Sequence, residues 1–273
     1  MVRLVEYRII SGPVIEIRRC RMAVGAQPGR RRAPRKAGAS SLKKIMQNEK
    51  ATVQRLARII NANFGAGDLW LTLKYSDARL PSTKEEAKKE VSKFIRNLGR
   101  AYKKATGRKL RYICCTSDTS SKTGDRVRLH HHLVMDRVAY ELLCRYWPQE
   151  EISYTILDGR KDHTDLARYI VKNASKTADE KKWSCSRGLD KPIYTEPVPV
   201  SDCEIKTPKD AEVREKNVYI DEDYGASSAY LRAVMPERPI VRGGRVILNP
   251  KKKSADADEE GTQNELKHTR QKE

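Results

Sequence analysis

The chain has 273 residues, 38% hydrophobic and 34% charged, enough for one good-sized domain with appendages or two small ones. No apolar run approaches bilayer-spanning length and no signal-peptide core is seen, so a soluble, cytoplasmic chain without a membrane partner is expected. The formal net charge of +20, half of it in the first fifty residues, speaks for a polyanionic partner, with mere solubility as the competing reading.

In chain order, residues 4–9 and 14–22 alternate well enough to be strands. Between Gly25 and Gly38 lies a Pro/Gly/Arg segment with Arg30-Arg31-Arg32 and Arg35-Lys36, the composition of a basic arm that grips phosphates without reading sequence. A helix is predicted from about Ser41 to Ala62, with Val53, Leu56, Ile59 and Ile60 on one stripe. Leu69, Leu71, Leu73 and Tyr75 then alternate with Trp70, Thr72 and Lys74, a half-buried strand. Thr83 and Glu86 have capping-box spacing, and Ala87, Val91, Phe94, Ile95, Leu98 and Tyr102 follow at helical spacing until Gly107. Arg111–Thr116 reads as an apolar strand, 117–125 as a turn, and Val127–Met135 as a second strand. Residues 138–147 read as helix, 151–157 as extended and 164–174 as helix.

That order, β-α-β-β-α-β and then a helix, predicts an α+β, ferredoxin-like fold: an antiparallel sheet with helices on one face and the active site on the other, open face. Past residue 180 the signal weakens. Ile193–Val200 and Arg242–Leu248 are candidate strands, and Asp221–Ala233 is ambiguous. The expected division is a basic extension at 1–50, a catalytic domain at 51–190, an extension at 191–249 and a disordered tail at 250–273. None of the six cysteines forms a CxxC pair, which fits free thiols rather than disulfides or a zinc site.

Two constellations carry chemistry. In the strand 126–135, alternation places Val127, Leu129, His131, Leu133 and Met135 on the core face and Arg126, Arg128, His130 and His132 on the other. Two imidazoles two residues apart on a strand lie side by side and can share one metal ion, while the arginines suit a phosphate. The bland alternative is a polar, solvated strand face, and His131 itself reads as a core residue or a support for its neighbours. In the helix 164–174, Asp165, Tyr169 and Lys172 share one face. A phenol with a reference pKa of about 10 is a poor nucleophile and needs a nearby cation or base, which Lys172 can supply.

Together these residues resemble the HUH endonucleases, specifically the rolling-circle replication initiators of phages, plasmids and integrative elements. Leu71-Thr72-Leu73-Lys74-Tyr75 looks like the first motif, Leu129-His130-His131-His132-Leu133 like the metal motif, and Ala167-Arg168-Tyr169-Ile170-Val171-Lys172 like the tyrosine motif. The resemblance covers roughly residues 55–190. It implies His130 and His132 as ligands of Mn2+ or Mg2+, Tyr169 as nucleophile and Lys172 as its catalytic helper. His131 stands where the family carries a bulky apolar residue. The usual acidic residue on the preceding strand is missing, which leaves Asp118 as candidate third ligand, with Asp162 or a water as alternatives. Arg126, Arg128, Lys74 and Arg168 would hold DNA phosphates, and Trp70 would stack on a base.

The implied function is site- and strand-specific nicking of single-stranded or hairpin origin DNA through a 5′-phosphotyrosine intermediate, with a host helicase and polymerase as further partners. A single-tyrosine transposase or conjugative relaxase would use the same chemistry. A basic, non-catalytic single-strand-binding protein is the alternative from another class.

Overall fold

The computed structural model describes residues 2–23, 25, 42–120, 123, 125–148, 150–174, 181–221, 226–242 and 245–248. The basic arm that the sequence places between Gly25 and Gly38 falls, beyond Gly25, outside the described residues, as does the tail from Pro250. In chain order the elements begin with β1 (Val2–Ser11), β2 (Val14–Ala23), α1 (Leu42–Asn63), β3 (Leu69–Tyr75), α2 (Lys84–Thr106) and β4 (Tyr112–Thr119). There follow β5 (Arg126–Met135), α3 (Tyr140–Tyr146), β6 (Glu150–Ile156), α4 (Thr164–Asn173), β7 (Ser184–Cys185), β8 (Ile193–Tyr194) and β9 (Val198–Pro199). The C-terminal part holds β10 (Glu212–Asp221), β11 (Ala226–Val234), β12 (Ile240–Arg242) and β13 (Arg245–Ile247).

The fold is α+β with antiparallel sheets. The central sheet runs β6-β3-β5-β4-β7, and each of its pairings is antiparallel. From β3 to β6 this is the ferredoxin-like arrangement, in which β5 and β3 insert into the two crossovers. β3 alternates as its sequence predicts, with Leu69, Leu71, Leu73 and Tyr75 buried beneath α2 and α3. The start of α2 is fixed locally: Thr83 accepts from the Glu86 backbone N–H, and the Glu86 carboxylate accepts from that of Thr83. Its end is fixed by Gly107, at a φ of 72° that costs glycine little.

The opposite face, expected to be open, is half covered. α1 and α4 lie across Ile113, Cys115 and Val134, and bury Leu56, Ile60, Ala167 and Ile170 with them. Each large apolar side chain so enclosed contributes about 1.5–3 kcal/mol. β5 records the boundary, being exposed at Arg126–Arg128 and buried on both faces from His131 to Met135. Cys114 and Cys115 point to opposite sides of the sheet, as adjacent strand residues must.

Residues from both ends of the chain build a second sheet, ordered β10-β11-β2-β1-β8, with β9 also paired to β1. One face packs Ile15, Ile17, Leu231 and Met235 against partly buried Val241 and Val246 of the β12–β13 hairpin. On the other face Glu16 is 3% exposed and receives both Arg58 Nε and Nη2 of α1 at 2.6 Å, with the Tyr230 hydroxyl at 3.0 Å. The β1–β2 turn sits hard against α1 as well. Gly12 has a φ of +59°, and a Cβ there would lie 2.0 Å from the Asn61 carbonyl oxygen.

Candidate active site

β5 carries His130 and His132 out on the face shared with Thr72 and Trp70 of β3. Their Nε2 atoms are 3.0 Å apart. His130 Nδ1 lies 2.8 Å from the Arg128 carbonyl oxygen, which can only accept, so that nitrogen carries the proton and Nε2 keeps its lone pair. His132 Nδ1 lies 3.1 Å from Thr72 Oγ1, a hydroxyl able to donate or to accept. Thr72 therefore lets His132 present either an N–H or a lone pair toward His130. Anchored Nδ1 atoms and convergent Nε2 atoms suit a cation, because the outer hydrogen bonds set ring orientation and basicity. Burial holds His130 below the usual imidazole range and pushes His132 down to about 3, so both rings are neutral at pH 7 and available as donors.

Tyr169 stands over this pair. Its ring meets His132 edge-on at 5.1 Å between centroids and Trp70 at 5.8 Å, and it remains 42% exposed. Trp70 in turn stacks on His132 at 5.1 Å and 12°, so one face of the indole is already occupied by the site itself. The nucleophile candidate, both histidines and Trp70 are thus one cluster.

The helix bearing Tyr169 is braced at both ends. At its start Asp162 Oδ1 accepts from Thr164 N at 3.0 Å, Asn61 Oδ1 accepts from His163 N at 2.8 Å, and Arg232 Nη1 reaches Asp162 Oδ2 at 2.6 Å. At its end Ser117 Oγ donates to the Asn173 carbonyl at 2.5 Å, and Asn173 Nδ2 returns to the Tyr169 carbonyl at 2.8 Å. Sequence reasoning misses Asn61, Ser117 and Arg232 altogether. For Thr72 it offers one signal, the alternation that puts this residue on the His132 face.

Other residues expected at the site lie elsewhere or are already paired. Asp118 is not gathered to the histidines; it pairs with Lys84 of α2 at 3.6 Å, next to a bulge between Ser117 and Thr119. Asp162 is spent on the α4 start, and among the described residues no three His, Cys, Asp or Glu side chains converge on one point. Lys74 pairs with Glu151, Arg128 with Asp77 and the Tyr75 carbonyl, and Arg168 with Asp165, while Arg126 is exposed at the start of β5. Lys172 lines a cleft toward the second sheet together with Thr164 and Arg168. His131, on the core face, hydrogen-bonds the Tyr75 hydroxyl at 2.7 Å and Thr116 Oγ1 at 2.9 Å.

Burial also pushes His131 down to about 3, against about 6.5 in the unfolded chain. Between those values the unfolded state binds protons that the folded state refuses, so stability is full above pH 6.5 and falls as pH drops toward 3. Urea midpoints in EDTA should decrease between pH 6.5 and pH 5, before most carboxylates titrate. A flat profile would contradict neutral, buried His131 and His132.

The family model of the replication-associated protein ORF2 matches residues 68–178, from just ahead of β3 to just past α4. No curated protein and no solved structure matches the chain. Among the described residues no helix is long and apolar enough to cross a membrane.

Proposed function

We propose that the chain is a single-tyrosine, metal-dependent DNA endonuclease that nicks one strand at a replication origin and so initiates rolling-circle replication. The observation that carries this reading is the packing of Tyr169 on His132, beside a second imidazole whose Nε2 faces the first at 3.0 Å. The match of residues 68–178 to a replication-associated family favours the replication branch over transposition or conjugation.

His130 and His132 would hold Mn2+ or Mg2+, with water and phosphate oxygens as the other ligands. The bound cation supplies positive charge against the scissile phosphate. Tyr169 Oη attacks phosphorus; the Oη–P bond forms, the P–O3′ bond breaks, and the phenolic proton is lost as the 3′ oxygen gains one. The product is a 5′-phosphotyrosine and a free 3′-hydroxyl able to prime synthesis. Lys172, one turn beyond Tyr169 on α4, adds positive charge to the phosphate's approach. Lys74, Arg128 and Arg168 form exposed ion pairs worth about 0–1 kcal/mol, so exchanging a carboxylate for a DNA phosphate costs little.

The test is incubation of the protein with labelled single-stranded oligonucleotides from its own locus and Mn2+, followed by a denaturing gel. An adduct that survives denaturant, vanishes with EDTA and maps by peptide sequencing to Tyr169 is the expected result. Binding without any adduct across the panel would leave only the DNA-binding alternative.

A further inference from the structure

α4 has a second working face. Tyr169 points to the sheet, while Thr164, Arg168 and Lys172, at i, i+4 and i+8, line a cleft of about 590 Å³ between α4, α1 and the second sheet. That volume lies within the 300–1,000 Å³ usual for small-ligand sites. The floor is apolar: Val14, Val53 and Ala57 are each under a tenth exposed. The rim is cationic, with Arg168 and Lys172 on the α4 side and Arg214 of β10 on the other.

The acidic side chains in the cleft do not cancel this charge. Glu16 is consumed by Arg58 at 2.6 Å, and Glu215 by Lys50 at 3.1 Å and Arg232 at 3.7 Å. Arg168 and Arg214 are held only by Asp165 and Glu212, whose side chains are 86% and 63% exposed, so an incoming phosphate displaces those partners easily. An apolar floor beneath guanidinium and ammonium groups is the complement of a planar base carrying a phosphate. No base-stacking ring is needed, since Tyr230 is already covered by Arg18 at 4.9 Å.

We propose that this cleft is a nucleotide-binding subsite, which takes one nucleotide of the DNA strand near the nick, base on the apolar floor and phosphate on Arg168, Lys172 and Arg214. The inference rests on the function proposed above. It makes α4 a divider, with the scissile phosphate on its Tyr169 side and a neighbouring nucleotide of the same strand on its Arg168 side. Contact to the second sheet then adds affinity that the catalytic sheet alone does not supply.

The experiment uses the full chain carrying Tyr169→Phe, so that binding is read without chemistry. Fluorescence anisotropy is measured for oligonucleotides lengthened one nucleotide at a time on either side of the nick site. Affinity should step up at one added nucleotide, and Arg214→Glu, which lies outside the catalytic sheet, should remove that step, about tenfold, while leaving shorter oligonucleotides unaffected. A 4-thiothymidine at the stepping position should photo-cross-link to residues 46–58 or 214–232. Equal weakening of long and short oligonucleotides by Arg214→Glu would mean diffuse charge and overturn the subsite. Thymidine monophosphate competing for the cleft without any oligonucleotide step would overturn it in favour of a free nucleotide effector. Failure of the wild-type chain to form any adduct would instead strike the endonuclease reading, whatever the step shows.

Discussion

A Tyr169→Phe protein is expected to bind single-stranded DNA and Mn2+ as the wild type does and to form no covalent adduct at all. The ring of Tyr169 packs edge-on against His132 and Trp70, and phenylalanine keeps both contacts. The side chain is 42% exposed, so losing the hydroxyl leaves no buried polar group unpaired and costs little stability. What disappears is the only oxygen of that side chain able to attack phosphorus. Three readouts separate the possibilities: adduct on a denaturing gel, DNA affinity by anisotropy, and Mn2+ affinity by electron paramagnetic resonance. Adduct lost with both affinities retained identifies the nucleophile. An adduct that persists moves the chemistry to another residue, and loss of all three would make Tyr169 a packing residue.

Much of that site is legible in the sequence because it rests on local alternation. The strand 126–135 separates His130 and His132 from His131 without reference to any other part of the chain, and β3 separates Trp70 and Thr72 from the core in the same way. The capping box at Thr83 and the stop at Gly107 are local too. What stays hidden depends on register between distant segments. Thr72 meets His132 because β3 pairs antiparallel with β5 in one register, across 60 residues of sequence. Asp118 looks like the nearest carboxylate along the chain, yet β4 continues through a bulge and its side chain meets Lys84 of α2.

The second sheet is harder still to read. Residues 2–23 alternate as strands, but nothing local says that they pair with β11, more than 200 positions later. β11 gives a blurred pattern because Tyr230 and Arg232 on its inner face meet a charged network rather than a core. β10 gives almost none, since it is an edge strand with Val218, Tyr219 and Ile220 largely exposed. Helix α4 is amphipathic in the sequence, but that it would lie on the catalytic face follows only from its packing on α1 and β4.

Arg232 is where the second sheet takes hold of the catalytic helix, and breaking that hold should cost several kcal/mol of stability. The Arg232 and Asp162 side chains are 14% and 7% exposed, with Nη1 and Oδ2 at 2.6 Å, so this is a buried ion pair and not a surface one. An exposed pair would be worth about 0–1 kcal/mol, whereas removing one member of a buried pair strands a charge and costs about 3–5 kcal/mol. Asp162→Ala adds the loss of the acceptor for Thr164 N at the start of α4, a cap worth about 1 kcal/mol. Glu215, 3.7 Å from Arg232, offsets part of the stranded charge, and the buried Arg232 Nε already lacks an acceptor. The Asp162→Ala protein should therefore unfold at markedly lower urea and form adduct more slowly, because Tyr169 sits one to two turns along the loosened helix. The Asp162→Ala/Arg232→Met double variant should regain much of the stability, since neither charge is left alone, but not the adduct rate, since α4 remains unbraced. Additive losses in the double variant would mean that the two side chains act independently. A single-variant cost below about 1 kcal/mol would mean that water reaches the pair and that the second sheet does not position the nucleophile.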